Sequence, residues 1–342
     1  MNEYRSVLER AGSNFAPLDL ELESIRRRRD RKRRNQRITA GVVGIAVFVA
    51  AVWVVTTGGS FNRTQQPAMQ PTPTPPAGTA PEPAYLIDLN TGEKTQLPKS
   101  IVGCCYAASP DGTRVAYVSL DDFRKNQLFI ASLDGTDVQQ VTQHGAWGPI
   151  DWSPDGAAIA YTYGDKDVIN IFLLDLATGE TSQVTHEKPP TKTCLDCAPV
   201  GAVYPQFSPD GASILYEVSR DGEHVSVRIV PVTGGKSVLL VGTGTGTISP
   251  DGSTLAVRCS DGICVANADG TNLRALVSGP HLFGPKWSPD GTRIAYNDQA
   301  DGPTGNKVFV VHVATGETTL VADGFVEDWL DDQTLIIEPV PQ

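Results

Sequence analysis

The chain has 342 residues with a formal net charge of −11, and its 33 Gly, 25 Pro and only 2 Met disfavour a helical bundle and fit one closed all-β domain filling most of the length. Charge is uneven: residues 1–37 carry 11 Lys or Arg against 6 Asp or Glu, a balance of +5, which leaves 17 against 33, or −16, for the remainder. An acidic folded part excludes a nucleic-acid groove built on clustered Lys and Arg, so no nucleic-acid partner is expected.

Residues 1–37 read as a basic tail that ends in the arginine-rich run around Arg26 to Arg37. Beside a membrane, such a run attracts anionic lipid and keeps its end of the chain in the cytoplasm. From Ile38 to Val55 the chain reads ITAGVVGIAVFVAAVWVV without a charge, which is long enough for a membrane-crossing helix. The expected span is 38–57, with Trp53 in the interfacial belt and no small-x-small cleavage site after Val55, so an uncleaved anchor is expected. Residues 58–83 hold Pro67, Pro71, Pro73, Pro75, Pro76, Pro81 and Pro83 among small polar residues. Repeated proline favours an extended, semi-rigid stalk.

From residue 84 to 340 two hairpin signatures alternate. The first is Trp287-Ser288-Pro289-Asp290-Gly291-Thr292-Arg293-Ile294-Ala295-Tyr296, with copies at Ser109 to Gly112, Ser153 to Gly156, Ser208 to Gly211 and Ser249 to Gly252. A degenerate copy follows Trp329, and aligning Trp329 with Trp287 also aligns Ile336 with Ile294. Proline presets φ, aspartate bonds nearby amides, and glycine takes the positive φ that closes the turn. The second signature is a hairpin turning at Gly92, Gly135, Gly179, Gly234, Gly270 or Gly316. Two hairpins make a four-stranded blade, and the Ser-to-Ser spacings of 44, 55, 41 and 39 residues are blade-sized. A six-bladed β-propeller is the expected fold. The domain begins with a second-type hairpin and ends with a first-type one, so the last hairpin is expected to pair with the first and close the ring.

These repeats resemble the TolB-like, WD-repeat-like propeller family, which carries the same W-S-P-D-G-x-x-I-A-Y and L-x-D-L-x-T-G-E hairpins. The resemblance implies the propeller fold over the whole ectodomain. It leaves function open, because such propellers serve as binding platforms, as accessory domains of prolyl-oligopeptidase-type peptidases, and in a few lyases. The chain has no G-x-S-x-G elbow of a hydrolase.

Turns within hairpins are expected on one face, and the connections between hairpins and between blades on the other. The second set comprises 119–127, 143–150, 163–169, 186–203, 218–226, 242–246, 278–284 and 298–306, and variable loops on a rigid scaffold are where function concentrates. They carry the candidate ligand-facing residues His144, Trp147, His186, His224 and His281. All six cysteines lie there or at its rim: Cys259 and Cys264 flank a short turn and are the expected disulfide. Cys194 and Cys197 could reach Cys104 or Cys105, although four cysteines allow three connectivities. A zinc site would need four convergent ligands, and Cys194-x-x-Cys197 with His186 falls short. Gly242-Thr243-Gly244-Thr245-Gly246 lacks the lysine of a phosphate loop, and the turn aspartates are accounted for by the turns. No metal, cofactor or catalytic set is therefore expected. The reading is a single-pass, N-in membrane protein whose extracytoplasmic propeller binds a protein or peptide in the cell envelope. Two alternatives are the sensor domain of an anti-sigma-like signalling protein and a propeller lyase or hydrolase.

Overall fold

The computed structural model describes residues 83–120, 125–164, 168–188, 200–220, 223–242, 244–300, 302 and 305–340. The basic tail, the apolar run 38–55 and the proline-rich stalk lie outside them. Among the described residues no helix is long and apolar enough to cross a membrane.

Strands β1 (Tyr85–Asp88) and β2 (Lys94–Gln96) open the described region, and β23 (Phe325–Asp331) and β24 (Thr334–Glu338) close it. These four form one sheet in the order β2-β1-β24-β23, with Tyr85 opposite Ile337 and Asp88 opposite Thr334. The first hairpin and the last thus share a sheet, which removes the free edges that each alone would present. The next sheet runs β3 (Cys104–Ala108), β4 (Arg114–Leu120), β5 (Asn126–Ser132) and β6 (Gln139–Gln140) in sequence order. Two further four-stranded sheets follow the same order. One holds β15 (Gly246–Ile248), β16 (Thr254–Cys259), β17 (Gly262–Asn267) and β18 (Arg274–Ser278). The other holds β19 (Leu282–Trp287), β20 (Arg293–Asp298), β21 (Lys307–His312) and β22 (Thr318–Asp323).

Between them lies an eight-stranded sheet made of two antiparallel sets. The first is β7 (Trp147–Trp152), β8 (Ala158–Gly164), β9 (Val168–Asp175) and β10 (Thr181–Gln183). The second is β11 (Val200–Phe207), β12 (Ser213–Arg220), β13 (Glu223–Pro231) and β14 (Val238–Val241). A short parallel pairing of Val200 and Gly201 with Val168 and Ile169 joins them. The architecture is all-β and propeller-like.

The core lies between successive sets. The second strand of each is buried on both faces: Val115-Ala116-Tyr117, Ile159-Ala160-Tyr161, Ile214-Leu215-Tyr216, Leu255-Ala256-Val257, Ile294-Ala295-Tyr296 and Leu335-Ile336-Ile337. Each cluster of buried side chains draws on two neighbouring sets. One joins Ile87 and Leu335 to Ala295 and Val310, linking the last set to the sheet the chain began. Another joins Ala84 and Ile336 to Val115 and Tyr117, linking that sheet to the next.

The Ser-Pro-Asp-Gly turns behave alike. In the turn after β19 the Ser288 hydroxyl donates to Asp290, Oδ1 of Asp290 accepts the Thr292 amide at 2.9 Å, and the Gly291 amide donates to the Ser288 carbonyl at 2.9 Å. Gly291 has φ +69° and Gly112 +66°, the left-handed conformation for which glycine is suited. The turns of the second type also bend at glycines of positive φ, from Gly92 at +71° to Gly316 at +73°.

The sequence alignment of the last hairpin is corrected by one residue. Trp287 pairs with Ile294, but Trp329 pairs with Leu335 rather than Ile336. Asp331 opposite Thr334 leaves a two-residue turn of Asp332 and Gln333, shorter than the serine-proline turns. Loop bounds are also corrected, because ladders run past the polar residues that suggest loops. Leu120 pairs with Asn126, Gly164 with Ile169, and Arg220 with Glu223. Trp147 opens β7 and His224 lies within β13, paired to Ser219.

Candidate functional site

The first strands β3, β7, β11, β15, β19 and β23 lead into the turns, and neighbouring ones pack together. Two residues before each turn serine, or before Leu330 in the degenerate copy, stand Ala107, Asp151, Gln206, Thr247, Lys286 and Asp328. Strand alternation gives this position the same facing in every set. Three of these side chains reach the next set and accept a backbone amide there. Asp151 takes the Phe207 amide at 2.7 Å, Gln206 that of Ile248 at 2.8 Å, and Asp328 that of Ala108 at 3.0 Å. Glu327 accepts the Tyr106 amide at 3.0 Å, and Glu217 that of Gly246 at 3.0 Å. The indoles of Trp152 and Trp329 complete the straps by donating to the carbonyls of Ala107 and Lys286 at 3.1 and 3.0 Å.

Glu217 is buried and Asp151, Glu327 and Asp328 are half-buried between the strands, where an ionised carboxylate without full compensation is costly. Burial is the main reason that Asp151 is pushed up to about 7; the charge of Asp328 adds to it, while the Phe207 amide and Lys286 oppose it. Burial likewise takes Glu327 to about 8, reinforced by Glu338 and opposed by Lys286. Asp328 and Glu338 are raised by the same cause. Lys286 is the cation common to Asp151, Glu327 and Asp328, so acid outnumbers base at this centre. The cluster can hold protons at neutral pH and can give them up to an incoming positive group.

Adjoining these acids are Cys104 and Cys105, half-buried and carrying unlinked thiols. A β-bulge falls between Cys104 and Ala107, and Cys105 adopts φ +61°. Tyr204 takes the corresponding place on β11 with φ +54° and Gly284 on β19 with φ +62°. The bulge is therefore a repeated device of the first strands, filled by glycine where nothing else is required. A Cβ on Gly148 would come within 2.2 Å of the Cys105 Cβ, so that glycine is what lets β7 lie against the cysteine.

The expected Cys259–Cys264 disulfide is present, with Cα atoms 5.9 Å apart. Cys194 and Cys197 lie outside the described residues, as does their expected link to Cys104 or Cys105. His144, His186 and His281 sit on exposed connections and Trp147 is half-buried; the ring of His224 lies outside the description. Two of these connections are pinned by the same network. Thr142 Oγ1 accepts the Leu128 amide at 2.9 Å and donates to Gln127, whose Oε1 also accepts the Gly145 amide at 3.0 Å. Thr185 and Asn170 repeat it with the amides of Ile171 and Glu187 at 2.9 and 2.8 Å. The network fixes the segments that carry His144 and His186. Among the described residues no three His, Cys, Asp or Glu side chains are grouped to hold a metal ion.

The central acids carry no local turn signature, so sequence motifs do not single them out. The signal is the position two residues before the turn serine, or before Leu330, which holds Asp151, Gln206, Lys286 and Asp328 in four sets and the smaller Ala107 and Thr247 in the other two.

The profile of the family described as TolB beta propeller domain matches residues 104–262. The Tol-Pal system protein TolB of Francisella tularensis is 24% identical over 231 residues, which is 62% of this chain and 50% of that protein. The Bacillus subtilis peptidase YuxL is 27% identical over 199 residues, 55% of this chain and 28% of the peptidase. The chain thus spans half or less of the length of these two relatives. Among solved structures, a protein assigned as TolB from Agrobacterium tumefaciens superposes with a TM-score of 0.62 at 20% identity, covering 76% of this chain and 98% of that one. Residues 104–262 are thus similar to the TolB β-propeller domain, and the described region has a propeller-like all-β fold.

Proposed function

We propose that this chain is a membrane-anchored, extracytoplasmic propeller of six blades that binds a protein or peptide in the cell envelope and has no catalytic activity of its own. On this reading each four-stranded set is one blade, residues 38–57 are the anchor, and the tail of residues 1–37 lies in the cytoplasm. The observation that carries the binding role is the pinning of the loops at one end of the sheets. The paired Thr142/Gln127 and Thr185/Asn170 networks hold exposed segments rigidly, and a preorganised surface loses little entropy on association. The central carboxylates support it as well. Asp151, Glu327 and Asp328 are engaged with backbone amides of neighbouring strands, the work of straps rather than of a general acid facing a substrate. The similarity to TolB proteins agrees with a binding role.

Photo-crosslinking on intact cells tests this. A crosslinking residue at position 144 or 281 should capture the same protein partner, and one at position 292, on the serine-proline turn, should capture none. Equal capture at all three positions, or capture only at 292, overturns the assignment of the binding face. The sensor alternative rests on layout alone, a short tail joined through an apolar run to a large exterior domain; recovery of a sigma factor on residues 1–37 as bait would favour it.

A further inference from the structure

In an extended strand, adjacent side chains point to opposite faces, so neighbouring cysteines are normally held apart. In β3 the rule is broken. The bulge between Cys104 and Ala107 and the positive φ of Cys105 turn both side chains to one side, and the Cys105 thiol donates to the Cys104 sulfur at 3.0 Å. A non-glycine residue in this conformation carries strain and is most often retained where it serves function. Gly284 shows that the same bulge on β19 is met by glycine, so the bulge alone does not call for a thiol, still less for two.

We propose that Cys104 and Cys105 form a dithiol–disulfide couple at the centre of the propeller, which exchanges electrons stoichiometrically, and not as a turnover catalyst, with the disulfides of other molecules. In the forward direction the Cys104 thiolate attacks one sulfur of the incoming disulfide. A mixed disulfide forms, and the first leaving thiolate takes up the proton that Cys104 gave up. Cys105 then loses its proton and attacks the Cys104 sulfur, closing the Cys104–Cys105 bond and expelling the second thiolate, which accepts that proton. Two thiols are oxidised by two electrons, and one disulfide is reduced to two thiols. The order of attack follows the hydrogen bond. As acceptor, Cys104 is held below the usual thiol range, whereas Cys105 is raised because it keeps the shared proton and is buried. Adjacent Cα atoms lie about 3.8 Å apart, closer than in ordinary disulfides. The ring is therefore strained and should open before Cys259–Cys264, whose Cα atoms are 5.9 Å apart.

The test reads sulfur chemistry and does not depend on any partner of the propeller. The detergent-solubilised full chain is reduced, treated with oxidised glutathione, alkylated and digested with trypsin, and the peptide of residues 100–114 is weighed. The expected result is loss of two hydrogens with no alkyl group on either cysteine, reversed by a dithiol concentration that leaves Cys259–Cys264 intact. Cys105→Ser should stop at a single glutathione on Cys104, and Cys104→Ser should react at least tenfold more slowly. Full alkylation of both cysteines in the oxidised wild-type chain overturns the proposal. So does a link from either one to Cys194 or Cys197. If a variant fails to fold, the wild-type peptide decides alone.

Discussion

The aspartates at the turns and those at the centre of the propeller share a side chain and differ in almost everything else. Asp111 is exposed and accepts bonds from the Ser109 hydroxyl and the Thr113 amide, which take it down to about 2. Asp151 lies one set further along and on the other side of the turn serine, half-buried among strands, and is raised to about 7. Both bind backbone amides. What separates them is water: the turn carboxylate keeps its hydration and gains partners, whereas the central one exchanges hydration for an amide and a shared lysine. The turn aspartates shape hairpins one at a time, and the central acids tie neighbouring sets together.

Removing one partner from each region should expose the difference. Asp328→Ala leaves the part-buried Ala108 amide without its acceptor and should cost about 2 kcal/mol of stability, seen as a lowered denaturation midpoint of the full chain. If Asp290→Ala costs as much, the contrast drawn here is wrong; its turn is open to water, and a loss of at most about 1 kcal/mol is expected.

Proton binding sharpens the contrast. Asp151 ionises at about 7 in the fold against a reference of 3.8, and Glu327 at about 8 against 4.5. Between those values the folded state holds protons that the unfolded chain has released. Stability contributed by these two acids is therefore full below about pH 4 and is lost as pH rises through 7 to 8. The turn acids act the other way: Asp111 ionises at about 2 in the fold, and its contribution is lost as pH falls below 4. Thermal melts from pH 5 to pH 8.5 should show a falling midpoint, and a rising one would reverse the assignment. Asp151→Asn keeps an oxygen for the Phe207 amide but no charge, so it should flatten that slope while changing the midpoint at pH 5 very little.

The smallest effect is expected from backbone geometry. Gly291→Ala meets no close atom, the nearest being Pro250 Cδ at 3.6 Å, and should cost only the left-handed conformation, about 1 kcal/mol. Gly148→Ala should cost more, because its Cβ would overlap Cys105. A comparison of the two midpoints checks this.

The turns could be read directly because proline, aspartate and glycine act within four residues and need no distant partner. The apolar runs after them were legible for a similar reason, since Ile294-Ala295-Tyr296 has to be buried wherever it occurs. The central straps were not legible. Asp151 and Phe207 are 56 residues apart and Asp328 and Ala108 are 220 apart, and only the packing of one set against the next brings them into hydrogen-bond range. Trp147 and His224 were placed on loops for want of the pairings that extend β7 and β13, which depend on the partner strand rather than on local propensity.

Sequence alone determined that the region is built from repeated hairpins, because each hairpin is specified by its own turn. It also made Cys259 and Cys264 the best candidate pair, since they flank one short turn between two strands, and the structure holds that disulfide. Only the tertiary structure decided which acids lie between strands, which amides they hold, and that Cys104 and Cys105 lie on the same side of a strand. Those properties depend on the packing of one set against the next and on a bulge that overrides the alternation of side chains, and neither is encoded in a local run of residues.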